Sequence, residues 1–165
     1  MAGTEGFLPH HQRILALLDD HGAQYTGLHH EETHTSEESA RVRGVDLSIG
    51  GKALLLKVDN EFSLFVISAS RKLHSKSIKK EFKAKNVRFA TLEELAELTG
   101  GLVPGAVPPI GKPIMDFDLY LDSSITENGM IAFNAGSLSD SIIMPVEDYL
   151  RLVAPQKIFN FSKEK

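Results

Sequence analysis

The 165-residue chain has no cysteine. That excludes a disulfide framework, a thiolate nucleophile and any cysteine-held zinc or iron–sulfur centre, so its chemistry must use oxygen, nitrogen or the backbone. It also lacks a long apolar run. No stretch approaches the roughly 18 apolar residues that a bilayer-spanning helix needs, and "MAGTEGFLPHHQR" does not read as a basic start followed by an apolar segment. A soluble, cytoplasmic protein with no membrane partner is therefore expected. Internal repeats and low-complexity tracts are absent as well, which argues against a solenoid or a disordered chain. Nor is there an excess of positive charge: the formal net charge is −4, so nothing draws the whole molecule toward nucleic acid.

What remains is an ordinary globular composition, 42% hydrophobic and 24% charged, of a length that suits one domain over residues 1–165. Positive charge is concentrated locally. Arg71, Lys72, Lys76, Lys79, Lys80, Lys83, Lys85 and Arg88 face only one acid, Glu81, within their span. Such a segment is either a solvated helix face or a site of phosphate contact, and it lacks the interleaved aromatics of a single-strand binder.

The pattern along the chain predicts alternating helices and short strands. Ile14, Leu15, Leu17 and Leu18 space a helix from Pro9 toward Gly22, with a strand in "QYTGLHH" after it. "TSEE" has capping-box spacing, so a helix should start after Thr35 and end at Gly44. "KALLLKV" and "FSLFVISA" read as central strands of a hairpin turning at Asp59, Asn60 and Glu61. "SKSIKKEFKA" reads as a helix with Ile78 and Phe82 on one face, "NVRFA" as a strand, and "TLEELAELTG" as a second helix with a capping box, Thr91 with Glu94. Three further strands are expected in "FDLYLDSS", "MIAFNAG" and "SIIM", then a closing helix from Pro145 through Val153. Six or seven strands and four or five helices, without strict strand–helix alternation, predict a mixed α+β fold. Its sheet should be curved and largely antiparallel, with helices around it.

Two stretches bear on function. "HHEETH" contains His30, Glu31 and His34 in the order of a zinc-protease motif. That chemistry needs both histidines on one helix face, and here Gly27, Thr33 and the cap at Thr35 oppose a helix, so a zinc hydrolase is the least favoured reading. His10, His11, His21 and His74 show no ligand spacing and are expected on the surface. The second stretch is "GLVPGAVPPIG", residues 101–111, with three glycines and three prolines. It has a defined shape and few reactive side chains. It is either a rigid surface connection or a presenter of peptide N–H and C=O groups.

"THTSEESARVRG", "GGKALLLKVD", "LTGGLVPGAVPPIG", "YLDSS" and "FNAGSLSDSIIMPVEDYLRL" occur in an order that resembles the YbaK and prolyl-tRNA editing domain family over about residues 20–153. The family's lysine at the start of a central strand matches Lys52. Its GxxxP loop matches Gly105 to Pro109, with Gly101, Ala106 and Val107 close by, and its later glycine matches Gly136 beside Ser137. The resemblance implies a trans-editing deacylase that hydrolyses the ester of a mischarged tRNA(Pro) or related tRNA. Lys52 would hold the terminal phosphate, loop amides would bind the aminoacyl ester, and the ribose hydroxyl would help to activate water. Family members take alanine, cysteine, serine or threonine esters. No cofactor and no essential metal is implied, and the partners are aminoacyl-tRNA and, in some cases, prolyl-tRNA synthetase or another synthetase.

That chemistry is physically coherent. An activated ester needs a positioned water and donors aimed at a developing oxyanion, which rigid backbone amides can supply. Lys57 lies five residues beyond Lys52, so on a regular strand it points to the opposite face. Arg41, Arg43, Arg71, Lys72, Lys79 and Lys80 are the candidate tRNA contacts; the two former also suit the C-terminal end of a helix dipole. A non-catalytic tRNA- or synthetase-binding module of the same fold is the alternative. The arm before Pro9 and the tail "QKIFNFSKEK" match nothing in the family.

Overall fold

Eight-residue stretches of branched and aromatic side chains form the centre of the computed structural model, which describes residues 9–165; the arm before Pro9 lies outside the described residues. In chain order the elements are α1 (His10–Asp20), β1 (Thr26–His29), α2 (Ser36–Arg43), β2 (Gly51–Val58), β3 (Glu61–Ser68), β4 (Arg71–Leu73), α3 (Ser75–Phe82) and β5 (Val87–Phe89). Then follow α4 (Leu92–Thr99), β6 (Leu119–Asp122), α5 (Ser123–Thr126), β7 (Met130–Asn134), β8 (Asp140–Pro145), α6 (Val146–Val153), β9 (Lys157–Phe159) and β10 (Ser162–Glu164).

β2 and β3 pair antiparallel from Gly51↔Ser68 to Val58↔Glu61, turning at Asp59 and Asn60. They centre a five-stranded sheet ordered β5-β2-β3-β6-β9, in which β6 and β9 join in parallel. β1, β8 and β7 form an antiparallel three-stranded sheet, and β10 pairs with β4. The fold is mixed α/β, as expected, but its strands are divided among three sheets rather than gathered in one. Alternation along β3 explains why it is buried from Ser63 to Ser68: Leu64 and Val66 enter the larger core with Ile14, Ile110, Phe133 and Tyr149, while Phe65 and Ile67 enter a second core with Ile78 and Phe161. Phe65 stacks on Tyr120 and meets Phe161 edge-on, centroids 5.1 and 5.3 Å apart.

Both capping boxes form, at Thr35 with Glu38 and at Thr91 with Glu94, and Gly44 and Gly100 end those helices in the left-handed region. Four expectations need correction. "FDLYLDSS" is a strand only to Asp122; the buried Asp122 carboxylate accepts from Ser124 N and starts α5 instead. The strand count is ten among the described residues, because β4, β9 and β10 are three-residue strands without a periodic signature. Residues 106–111 of the proline-glycine loop are buried, so only its first half is a surface connection. His10, His11 and His74 are half-buried. His10 Nε2 lies 2.7 Å from Thr99 O and His11 Nδ1 3.1 Å from Ala135 O, because α1 packs across the end of α4 and the turn at Gly136.

No helix among the described residues is long and apolar enough to cross a membrane. The "HHEETH" segment leaves β1 at His29 and is not helical before Ser36. His30 Nε2 lies 2.7 Å from Ser141 Oγ, and His34 is exposed with Nε2 3.7 Å from Glu32. The two imidazoles therefore do not present the helix face that the zinc motif requires.

Candidate active site

The N-terminal end of β2 lies against β7. Gly50 bridges to Ala132, and a Cβ on Gly51 would sit 2.7 Å from Ile131 Cδ1, so a side chain there would have to displace the buried Ile131. The next residue, Lys52, opens into a cavity of about 570 Å3. The first turn of α2, the start of β2 and the proline-glycine loop all line it. Among its walls are Thr35 and Ser36, Lys52 and Leu54, Gly105 and Val107, and Asn134 and Leu138.

Partial burial lowers the Lys52 ammonium below an ordinary lysine; the positive charge of Lys165 adds to that effect and Glu37 opposes it. Lys57 lies over the ring of Phe62, 5.5 Å from its centroid, and does not line the cavity.

The loop takes a 3₁₀ turn at Pro104–Ala106. Ala106 N donates to Val103 O at 3.0 Å, and Val107 N reaches Pro104 O at 3.5 Å. Pro108 and Pro109 have no N–H to offer. Among the described residues the Gly105 N–H has no hydrogen-bonded acceptor, as expected for the first turn of a helix. A Cβ on Gly105 would come 3.0 Å from Leu138 Cδ2.

A polar strut fixes that loop from behind. Arg43, at the end of α2, donates from Nε to Ser141 Oγ and from a terminal nitrogen to Asn134 Oδ1, each at 2.9 Å. Asn134 Nδ2 in turn donates to Gly105 O at 2.7 Å. Burial lowers the Arg43 pKa to about 10, which leaves the guanidinium charged at neutral pH. Gly136 N donates to Ala106 O at 3.1 Å and supports the next peptide.

The structure thus brings Lys52, Gly105, Val107 and Arg43 to one cavity. It places other expected residues behind or beyond the lining. Ala106 and Pro109 are buried, and Pro109 O accepts from Tyr149 Oη at 2.6 Å. Gly136, at φ +84°, packs on His10; Ser137 Oγ donates to Asp140 at 2.7 Å; Gly101 is exposed at the end of α4. Arg41, Lys72, Lys79 and Lys80 are exposed away from the lining, and Arg71 Nε donates to Ser162 Oγ at 2.6 Å.

Sequence reasoning did not single out Asn134, Ser141 or Leu138. The signal available was an asparagine at the end of the apolar run "MIAFN" followed by a glycine turn. Thr33 and Ser39, hydrogen-bonded to each other at 2.8 Å, were missed as wall residues too.

Residues 30–152 match the aminoacyl-tRNA editing domain. The chain belongs to the aminoacyl-tRNA editing domain family. It is 34% identical over 160 residues to the multifunctional Ser/Thr-tRNA deacylase ProXp-y of Escherichia coli (strain K12), covering 93% of each chain. It is also 33% identical over 104 residues to a proline–tRNA ligase of Shouchella clausii (strain KSM-K16), covering 63% of this chain and 18% of that enzyme. A crystal structure of a candidate trans-editing enzyme for prolyl-tRNA synthetase superposes with a TM-score of 0.80 at 23% identity, covering 94% of this chain and 98% of that one. The editing-domain fold is therefore shared along nearly the whole chain.

Proposed function

We propose that this editing-domain protein is a trans-acting deacylase that hydrolyses the ester joining a small hydroxylated amino acid, serine or threonine, to the 3′ end of a mischarged tRNA. The observation that carries this reading is the joint presence of the Lys52 ammonium and the unpaired Gly105 amide on one cavity. The name of the Escherichia coli relative supports the amino-acid choice. So does the lining, which includes the hydrogen-bonded hydroxyls of Thr33 and Ser39 together with the apolar Ala53, Leu54 and Val107.

In this reading Lys52 holds the phosphate of the terminal nucleotide and fixes the ester over the loop. The Gly105 N–H stabilises negative charge developing on the carbonyl oxygen, and the strut through Asn134 keeps that peptide still. A water then adds to the carbonyl carbon and the ribose oxygen leaves, giving free amino acid and uncharged tRNA. The ribose hydroxyl beside the ester assists the water. Pocket size alone discriminates poorly, since one methylene is worth only about 1–3 kcal/mol. A cytoplasmic location follows from the substrate, and association with prolyl-tRNA synthetase or another synthetase would deliver it.

A panel of tRNAs carrying serine, threonine, alanine or cysteine esters tests this. Serine or threonine esters should be cleaved fastest. Lys52→Ala should raise KM about tenfold or more, because a charge-assisted hydrogen bond contributes on the order of 1.5–3 kcal/mol. Binding of the whole panel without turnover would refute the reading in favour of a non-catalytic tRNA-binding module.

A further inference from the structure

The family match ends at residue 152, and the chain continues beyond it. The buried Asp122 carboxylate accepts from Phe161 N and from Ser162 Oγ, each at 2.6 Å, and so anchors the tail. Beyond that anchor, β10 pairs with β4 through Ser162↔Leu73, Lys163↔Lys72 and Glu164↔Arg71. Continuing this antiparallel register by one residue sets Lys165 across from Ser70, beside the cavity-lining Ala69. Lys165 Nζ lies 3.9 Å from Glu37 Oε1, in the first turn of α2, whose Thr35 and Ser36 also line the cavity.

We propose that Lys165, carried by the tail outside the matched domain, is a second phosphate-binding cation at the mouth of the Lys52 cavity and contacts the RNA backbone next to the nucleotide that Lys52 holds. This rests on the tRNA-deacylase reading above. After burial, the positive charge of Lys165 is the next cause that lowers the Lys52 ammonium, so the two groups lie within electrostatic reach of each other. A phosphate near both would relieve their repulsion. Glu37 is the present counter-charge of Lys165, and at 3.9 Å, with both side chains well exposed, this pair is easily exchanged for a phosphate. Arg88 is paired with Glu94 and Lys157 with Glu81, and the exposed Arg41, Lys72, Lys79 and Lys80 lie away from the lining.

The test uses the full chain and an unacylated RNA hairpin that carries a tRNA acceptor stem and its single-stranded 3′ end, with binding followed by fluorescence anisotropy from low to moderate salt. Lys165→Ala should weaken binding about three- to tenfold at low salt. It should also flatten the slope of log K against log salt by about 0.7, the value for one lost contact to a single strand. Lys165→Arg should restore both. Glu37→Gln should tighten binding by freeing the ammonium. With acylated substrate, the loss should appear in KM. If Lys165→Ala keeps the wild-type affinity and slope, the assignment is wrong; absence of binding by the wild type overturns it as well. Wild-type binding without ester cleavage defeats the deacylase reading alone, while the salt slope still decides Lys165.

Discussion

Replacing Asn134 separates positioning of the loop from simple stability. Its amide is the only described link between the Arg43 guanidinium and Gly105 O, with bonds of 2.9 and 2.7 Å. Asn134→Ala removes both. It leaves a largely buried cation short of one acceptor, at a cost of about 1–3 kcal/mol. At roughly 2–4 °C per kcal/mol for a chain of this size, Tm should fall by about 2–12 °C. Asn134→Asp keeps an oxygen for Arg43 but sets the second oxygen against the Gly105 carbonyl, so the peptide that offers the N–H must move. A shift on the order of 1 Å at a reacting centre can cost about 100-fold in rate. Asn134→Asp should therefore lose less Tm than Asn134→Ala and still reduce kcat by about 10- to 100-fold in single-turnover deacylation, with KM little changed. Wild-type kcat in Asn134→Asp would refute the argument, because the loop would then hold its shape without the strut.

Three further outcomes can be measured. Gly51→Ala should destabilise the protein by about 1–3 kcal/mol in urea titrations, since its Cβ would lie 2.7 Å from Ile131 Cδ1 in a packed junction; a neutral result would mean that the Ile131 side chain repacks freely. Asp122→Ala removes the acceptor of Ser124 N, Phe161 N and Ser162 Oγ. It should cost about 3 kcal/mol or more and accelerate amide exchange in the tail and β4, whereas unchanged exchange there would contradict the anchoring role. Hydrogen bonds from Arg88, then the Thr91 amide, hold the Glu94 carboxyl down to about 2. A depressed folded-state value stabilises above the ordinary carboxylate range, so wild-type stability should decline as pH falls from about 4.5 toward 2. Glu94→Gln should show a shallower decline in acid melts; an identical pH dependence would remove Glu94 from the account.

The sequence by itself determined the local features. Capping boxes at Thr35 and Thr91 and the stops at Gly44 and Gly100 depend on neighbours within four residues, and the β2–β3 hairpin follows from two branched runs around a short polar turn, which the structure confines to Asp59 and Asn60. The family pattern marked Lys52 and Gly105 because it records a spatial arrangement that local propensity cannot express. Tertiary structure alone decided which groups meet. The Asn134 strut joins residues 91 and 29 positions away, β10 finds β4 across about 90 residues, and Lys165 reaches Glu37 on the opposite side of the chain order. Three-residue strands and single side-chain bonds have no period to read. They form because folding closes long loops around a shared core, and only then does a buried carboxylate at Asp122 or a guanidinium at Arg43 select its partners.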